Sequence, residues 1–227
     1  AASDVYKRQV YEFETMYNAS SSYLHPAMAK LFRSLGVQIA TMWTYTFNAY
    51  SCYQGGSHIL NLKTTPKKAA SYMIAGEVFR TLPRVFQFGL SSETEDSFAY
   101  FALSFDQDIS ISCANDTFMH SSDVSLCPVE LPKTVKRIVG YGNSPFVQYG
   151  GSGLYFIEVE EESVQIELLP HSKFLRHSWE WHTDGEPVVE LDDTTILPFE
   201  LKLPGFDPIC FKKKPGQYHF PLFSQDA

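Results

Sequence analysis

An α/β segment followed by an all-β domain is the fold class that this sequence predicts, and three observations carry it. Strand-like and helix-like stretches alternate over residues 10–84. After "LPRVFQFG", short runs alternate apolar and polar side chains with turn residues between them. Phe and Tyr dominate a 15% aromatic share, which suits packed β-sheets.

The first strand is read in "VYEFE", residues 10–14, an apolar stretch carrying Glu12 and Glu14 at like parity. In "SSSYLHPAMAKLFRSLG", Ser22 is placed to cap a helix, Pro26 fits its first turn and Gly36 ends it. Met28, Leu31, Phe32 and Leu35 recur at helical spacing and predict its buried stripe. "VQIATMWTYT", residues 37–46, is β-branched and aromatic, with Val37, Ile39, Thr41, Trp43 and Tyr45 on one face. In the next helix Thr65 caps, Pro66 opens, and Ala70, Ile74, Val78 and Leu82 line one side.

Strand, helix, strand, helix is a parallel β/α rhythm. The loops after the strands are long and aromatic, whereas the first helix returns through a single glycine turn. That asymmetry is what a barrel with its working end at the strand C-termini shows, and since two units cannot close one, a truncated (β/α)8 barrel is expected. The texture changes at "LPRVFQFG". "SFAYFALSFDQDISISCAN" alternates, "SPFVQYGGSGLYFIEVEEESVQIELL" reads as a three-strand meander turning at 150–153, and further strands are expected at 173–181, 187–191 and 195–203. Residues 85–227 are therefore expected to form an antiparallel β-sandwich. Residues 1–9, "AASDVYKRQ", resemble a translated sequencing-adapter remnant and are read as a non-native leader, which makes residues 10–84 the C-terminal part of a barrel.

A net charge of −8 argues against nucleic acid as the main partner, and no run of about 18 apolar residues is available to span a bilayer. Cys52, Cys113, Cys127 and Cys210 lack the spacing of a zinc site, and no metal or cofactor is expected. Cys113 and Cys127 could pair in an exported protein, but buried thiols are an equal reading.

A carboxylate at a strand end beside a Trp is what cleavage of a glycosidic bond needs. The carboxylate meets an oxocarbenium-like centre and the indole packs on the sugar's apolar face. On these motifs, residues 10–84 resemble the last two units of the large clan of (β/α)8-barrel retaining glycoside hydrolases. "VYEFE" looks like the clan's seventh strand, with its nucleophile, and "ATMWTY" like the eighth, with its sugar platform. "LNLKTTPKKAASYMIAGEVFRTLPR" and "GYGNSPFVQYGGSGLYFIEV" are similar to the closing helix and appended β-domain of bacterial members.

The resemblance implies Glu12 as nucleophile, with Glu14 its rival, and Trp43 as platform. The acid/base Glu of the clan's fourth strand would lie in a missing N-terminal barrel portion, so that this chain alone is inactive. Tyr45, Tyr50, Tyr53 and His58 are the further candidate contacts to substrate, joined by Asn48 and Gln54 of the same loop. The implied substrate is a β-linked polysaccharide or oligosaccharide, and the implied location is secreted or periplasmic. A non-catalytic carbohydrate-binding or structural β-sandwich protein is the alternative. Trp179 and Trp181, with His177 in "RHSWEWHTDG", are read as sandwich core rather than as a second sugar platform.

Overall fold

A computed structural model describes residues 8–14, 18, 20–54, 59–86, 92, 94–124, 131–176 and 185–225. Among them the chain is mostly β, with fifteen strands and three helices. The N-terminal part holds β1 (Arg8–Val10), α1 (Leu24–Ser34), β2 (Val37–Ala40), the one-turn α2 (Asn48–Ser51) and α3 (Pro66–Thr81). An eight-stranded sheet follows. It contains β3 (Glu95–Phe98), β4 (Phe101–Ser104), β5 (Ile109–Ser112), β6 (Thr117–Ser121), β7 (Arg137–Tyr141), β9 (Tyr155–Val159), β10 (Ser163–Leu168) and β15 (Gly216–Pro221), in the order β15-β10-β9-β7-β6-β5-β4-β3. All its pairings are antiparallel except β6 with β7. β8 (Val147–Tyr149), β13 (Leu197–Leu201) and β14 (Ile209–Lys213) make a three-stranded sheet, and β11 (His171–Phe174) pairs with β12 (Val189–Asp192).

The α/β-barrel expectation is overturned. The rhythm is real over one unit only, where β1 and β2 pair in parallel with α1 between them. No third parallel strand follows α3 among the described residues. Instead α3 lies on the large sheet, against β5, β6 and β7. The reason is burial. Ala70, Ile74, Val78 and Leu82 do form a buried face, but what covers it includes Phe98, Phe101, Leu103, Met119 and Val139 from downstream strands. Helical periodicity reveals that a face is apolar and is silent about its partner.

Opposite the helices, the three-stranded sheet packs on the same large sheet. Ile138, Tyr155, Ile157, Val164 and Ile166 meet Val147, Tyr149, Phe199 and Leu201 in one apolar cluster. Fully burying side chains of this size contributes about 1.5–3 kcal/mol each. The meander expected at 144–169 is split between the sheets. β9 and β10 form a hairpin, whereas β8 joins β13. Residues 150–154 thus carry the chain from one layer to the other. Gly153 permits the crossing, because a Cβ there would stand 2.2 Å from the Leu169 carbonyl oxygen.

The first helix is capped at long range. Ser22 does not cap it with its side chain; Asp108, on the β4–β5 turn, accepts the backbone N–H groups of Ser22 (2.9 Å) and Tyr23 (3.1 Å). Leu31 and Leu35 of the expected stripe are exposed, while His25, Pro26, Ala29 and Arg33 are buried. Ala29 shares a buried cluster with Ile74, Ala75 and Val78 of α3, and the larger leucines lie on the outer side. Gly36 ends the helix at φ +82°, a conformation that favours glycine.

Candidate functional site

The strand that should have carried Glu12 and Glu14 together stops at Val10. Glu12 takes φ +58°, in the left-handed region, which interrupts strand alternation. Parity therefore no longer links the two acids. Glu12 is exposed, whereas the Glu14 side chain is 5% exposed and reaches Lys68 Nζ at 2.5 Å. Between them, Phe13 is 2% exposed, and its N–H donates to the Thr41 carbonyl at 2.7 Å. That bond continues the β1–β2 pairing beyond the strands and sets Glu14 close to the segment leading to Trp43.

Lys68 projects from the first turn of α3, and its side chain is 1% exposed. Burial lowers its pKa, and the bond to Glu14 pulls the other way. Two more α1 and α3 side chains close the cluster. His25 is fully buried, edge-on to Phe13 and Tyr72 at centroid distances of 5.4 and 5.5 Å. Neither of its ring nitrogens has a hydrogen-bond partner. Burial first, and the Lys68 charge second, push its pKa down to about 3, so the ring is neutral at pH 7. Tyr72, one turn beyond Lys68, shares a hydrogen bond with the Met42 backbone, and burial raises its pKa. One face of α3 thus holds both the Glu14 carboxylate and the backbone beside Trp43.

The aromatic residues that follow β2 are exposed. Trp43 and Tyr45 are each 55% exposed, and Phe47 stacks on Tyr50 at 5.8 Å. Tyr50 and Tyr53 are also exposed. The loop that bears them is organised by Asn61, itself fully buried. Its amide donates to the Thr46 carbonyl (2.7 Å) and to Asn48 Oδ1 (2.9 Å), and its Oδ1 accepts from the Lys63 and Thr64 backbone. Asn48 is held by this hub, and Gln54 Oε1 accepts from the Thr46 hydroxyl at 2.5 Å, so both have structural partners. The Cys52 carbonyl accepts from Val188 and Val189, which ties the aromatic loop to the start of β12.

The chain thus sets Glu14 beside the segment leading to Trp43, with Tyr45, Tyr50 and Tyr53 exposed in the loop that follows, and leaves Glu12 on the outer surface. His58 lies outside the described residues, as do His177, Trp179, Trp181 and Cys127. Lys68, His25, Tyr72 and Asn61 escaped the reading of the sequence. A signal existed for two of them: Lys68 and Tyr72 are spaced i, i+4 and continue to Ala75, so a lysine falls on a face otherwise fit for burial. Among the described residues no group of three His, Cys, Asp or Glu side chains could hold a metal ion. No described helix is long and apolar enough to cross a membrane. Compared with protein-family models, with curated proteins and with solved structures, the chain gives no match in any of the three.

Proposed function

We propose that this chain forms part of a retaining glycoside hydrolase acting on a β-linked glycan, with Glu14 as nucleophile and Trp43 as sugar platform. The observation that carries the reading is the placement of Glu14. It is a nearly buried carboxylate with a lysine countercharge, next to Phe13, whose N–H pairs with Thr41 in the segment leading to the exposed Trp43. A surface acid such as Glu12 has neither a fixed position nor shelter from water, and a nucleophile needs both.

In the proposed reaction a Glu14 oxygen bonds to the anomeric carbon as the bond from that carbon to the leaving oxygen breaks. A second carboxyl group protonates the leaving oxygen, and water later releases the sugar from Glu14. The retaining geometry requires that second group at about 5.5 Å. An exported location suits an enzyme that meets polymeric glycans. The second reading, a non-catalytic carbohydrate-binding protein, draws on the exposed aromatic run alone and needs no acid.

A 2-deoxy-2-fluoro-β-glycoside with a dinitrophenolate leaving group separates the two, because that leaving group departs without a proton. Mass spectrometry of the treated protein should find the sugar on Glu14. Label on Glu12 would move the nucleophile to the outer surface, and hydrolysis without label on either acid would end the proposal. In the active enzyme, Glu14→Gln should lower turnover by about three orders of magnitude, or about 4 kcal/mol of barrier. Glu12→Gln should leave it within a few-fold. Trp43→Ala should weaken substrate binding while leaving the melting temperature unchanged.

A further inference from the structure

We infer that the outer face of α1 is a self-association surface, on which a second copy of this chain docks α1 against α1 about a twofold axis at Leu31. The inference is independent of the hydrolase reading and concerns a different part of the surface. A surface helix ordinarily turns charged side chains toward water. The outer face of α1 has none. Of its three ionisable side chains, His25 and Arg33 are buried and Lys30 is bonded to Asp96. The outer arc holds Leu24, Ala27, Met28, Leu31, Ser34 and Leu35 at helical spacing, with Leu31 55% and Leu35 52% exposed. Val85 prolongs this strip past the helix end. It is 67% exposed, and a Cβ on Gly36, next to Leu35, would stand 3.3 Å from its Cγ2.

The make-up of the strip selects its occupant. Without charge of its own, it complements another uncharged strip, and its side chains are spaced to fit themselves. Positions three and four apart share a helix face. An antiparallel twofold at Leu31 therefore sets Leu31 against its own copy, Leu35 against Ala27 and Met28 against Ser34. Away from the axis each pair places a large side chain opposite a small one, which lets two helices interdigitate. The Ser34 hydroxyl already donates to the Leu31 carbonyl at 2.7 Å, so covering it leaves no donor unsatisfied. An eleven-residue helix is only about 16 Å long, so the contact falls at the small end of protein interfaces and gives a reversible dimer.

Sedimentation equilibrium of the 227-residue chain, from micromolar to millimolar concentration, tests this. A monomer–dimer equilibrium is expected. Added salt should tighten it, because the contact is apolar and screening relaxes the repulsion between two copies of net charge −8. The double variant Leu31→Glu/Leu35→Glu should raise the dimer Kd at least tenfold with the melting curve unchanged, since both side chains are exposed in the single chain. Trp43→Ala should dimerise like the parent. A chain that stays monomeric throughout overturns the inference, as does a dimer that forms equally well in the double variant. A dimer lost in Trp43→Ala and kept in the double variant also overturns it, by moving the contact to the aromatic loop. Labelling of Glu14 decides the hydrolase reading separately.

Discussion

The two faces of the eight-stranded sheet are covered by different materials. Toward the three-stranded sheet, the buried contacts are aliphatic and aromatic, from Ile138 and Ile157 to Val147 and Phe199. Toward the helices, an apolar cluster around Phe13, Ile74 and Val78 is interrupted by charge. Arg33 and Lys68 are buried there, and Lys68 meets Glu14. Apolar packing gives stability directly. A buried ion pair often yields less than the hydrophobic residues that could replace it, because both charges must be stripped of water. Under the proposed function, the pair fixes the position of a carboxylate rather than adding stability. Arg33 marks the contrast: it donates to the carbonyls of Leu82 and Val37 and so stitches the end of α1 to its neighbours.

The sharpest test of this contrast is Lys68→Met, which leaves Glu14 buried without its countercharge. It should cost about 3–5 kcal/mol in denaturant unfolding. The double variant Lys68→Met/Glu14→Leu should recover most of that loss, since an apolar pair of similar volume removes the desolvation cost. Equal losses in the single and double variants would show that the pair contributes no coupling and would remove the positioning argument.

Acid separates the two faces next. Burial pushes the pKa of His25 down to about 3 and that of His120 down to about 4. Both rings stay neutral in the folded protein, while the unfolded chain binds protons below about pH 6.5. Stability should therefore hold above pH 6.5 and fall as pH drops toward 4, by about 2 kcal/mol for each histidine at pH 5. His25→Phe should remove one of these contributions. His25 lies in the helix layer and His120 in the sheet, so the slope lost in His25→Phe is the helix layer's share. A pH dependence unaltered by His25→Phe would show that the ring is solvated in the native protein.

The smallest effect is expected between the sheets. Ile157→Val removes one methylene from a fully buried site and should cost about 1 kcal/mol, with no change in pH dependence. A much larger loss would mean that this core is more tightly interlocked than its apolar contacts imply.

Several features were legible in the residues themselves. Thr65, Pro66 and the series Ala70, Ile74, Val78, Leu82 mark α3 and its buried side. The alternation of Tyr155, Ile157 and Val159 with that of Val164, Ile166 and Leu168 marks the β9–β10 hairpin. Such signals are local, because spacing along the chain decides which side chains share a face. An acid flanked by aromatic residues was visible in "VYEFE" for the same reason.

Tertiary structure decided what those faces meet. It sent β8 to a different sheet from β9, supplied the α1 cap from Asp108 and turned Leu31 and Leu35 outward. It also separated Glu12 from Glu14, through a left-handed residue that strand parity cannot foresee and a lysine more than fifty residues away. Each of these outcomes depends on contacts between segments remote in sequence. Periodicity shows that a face must be buried, and only the packed chain determines which partner buries it.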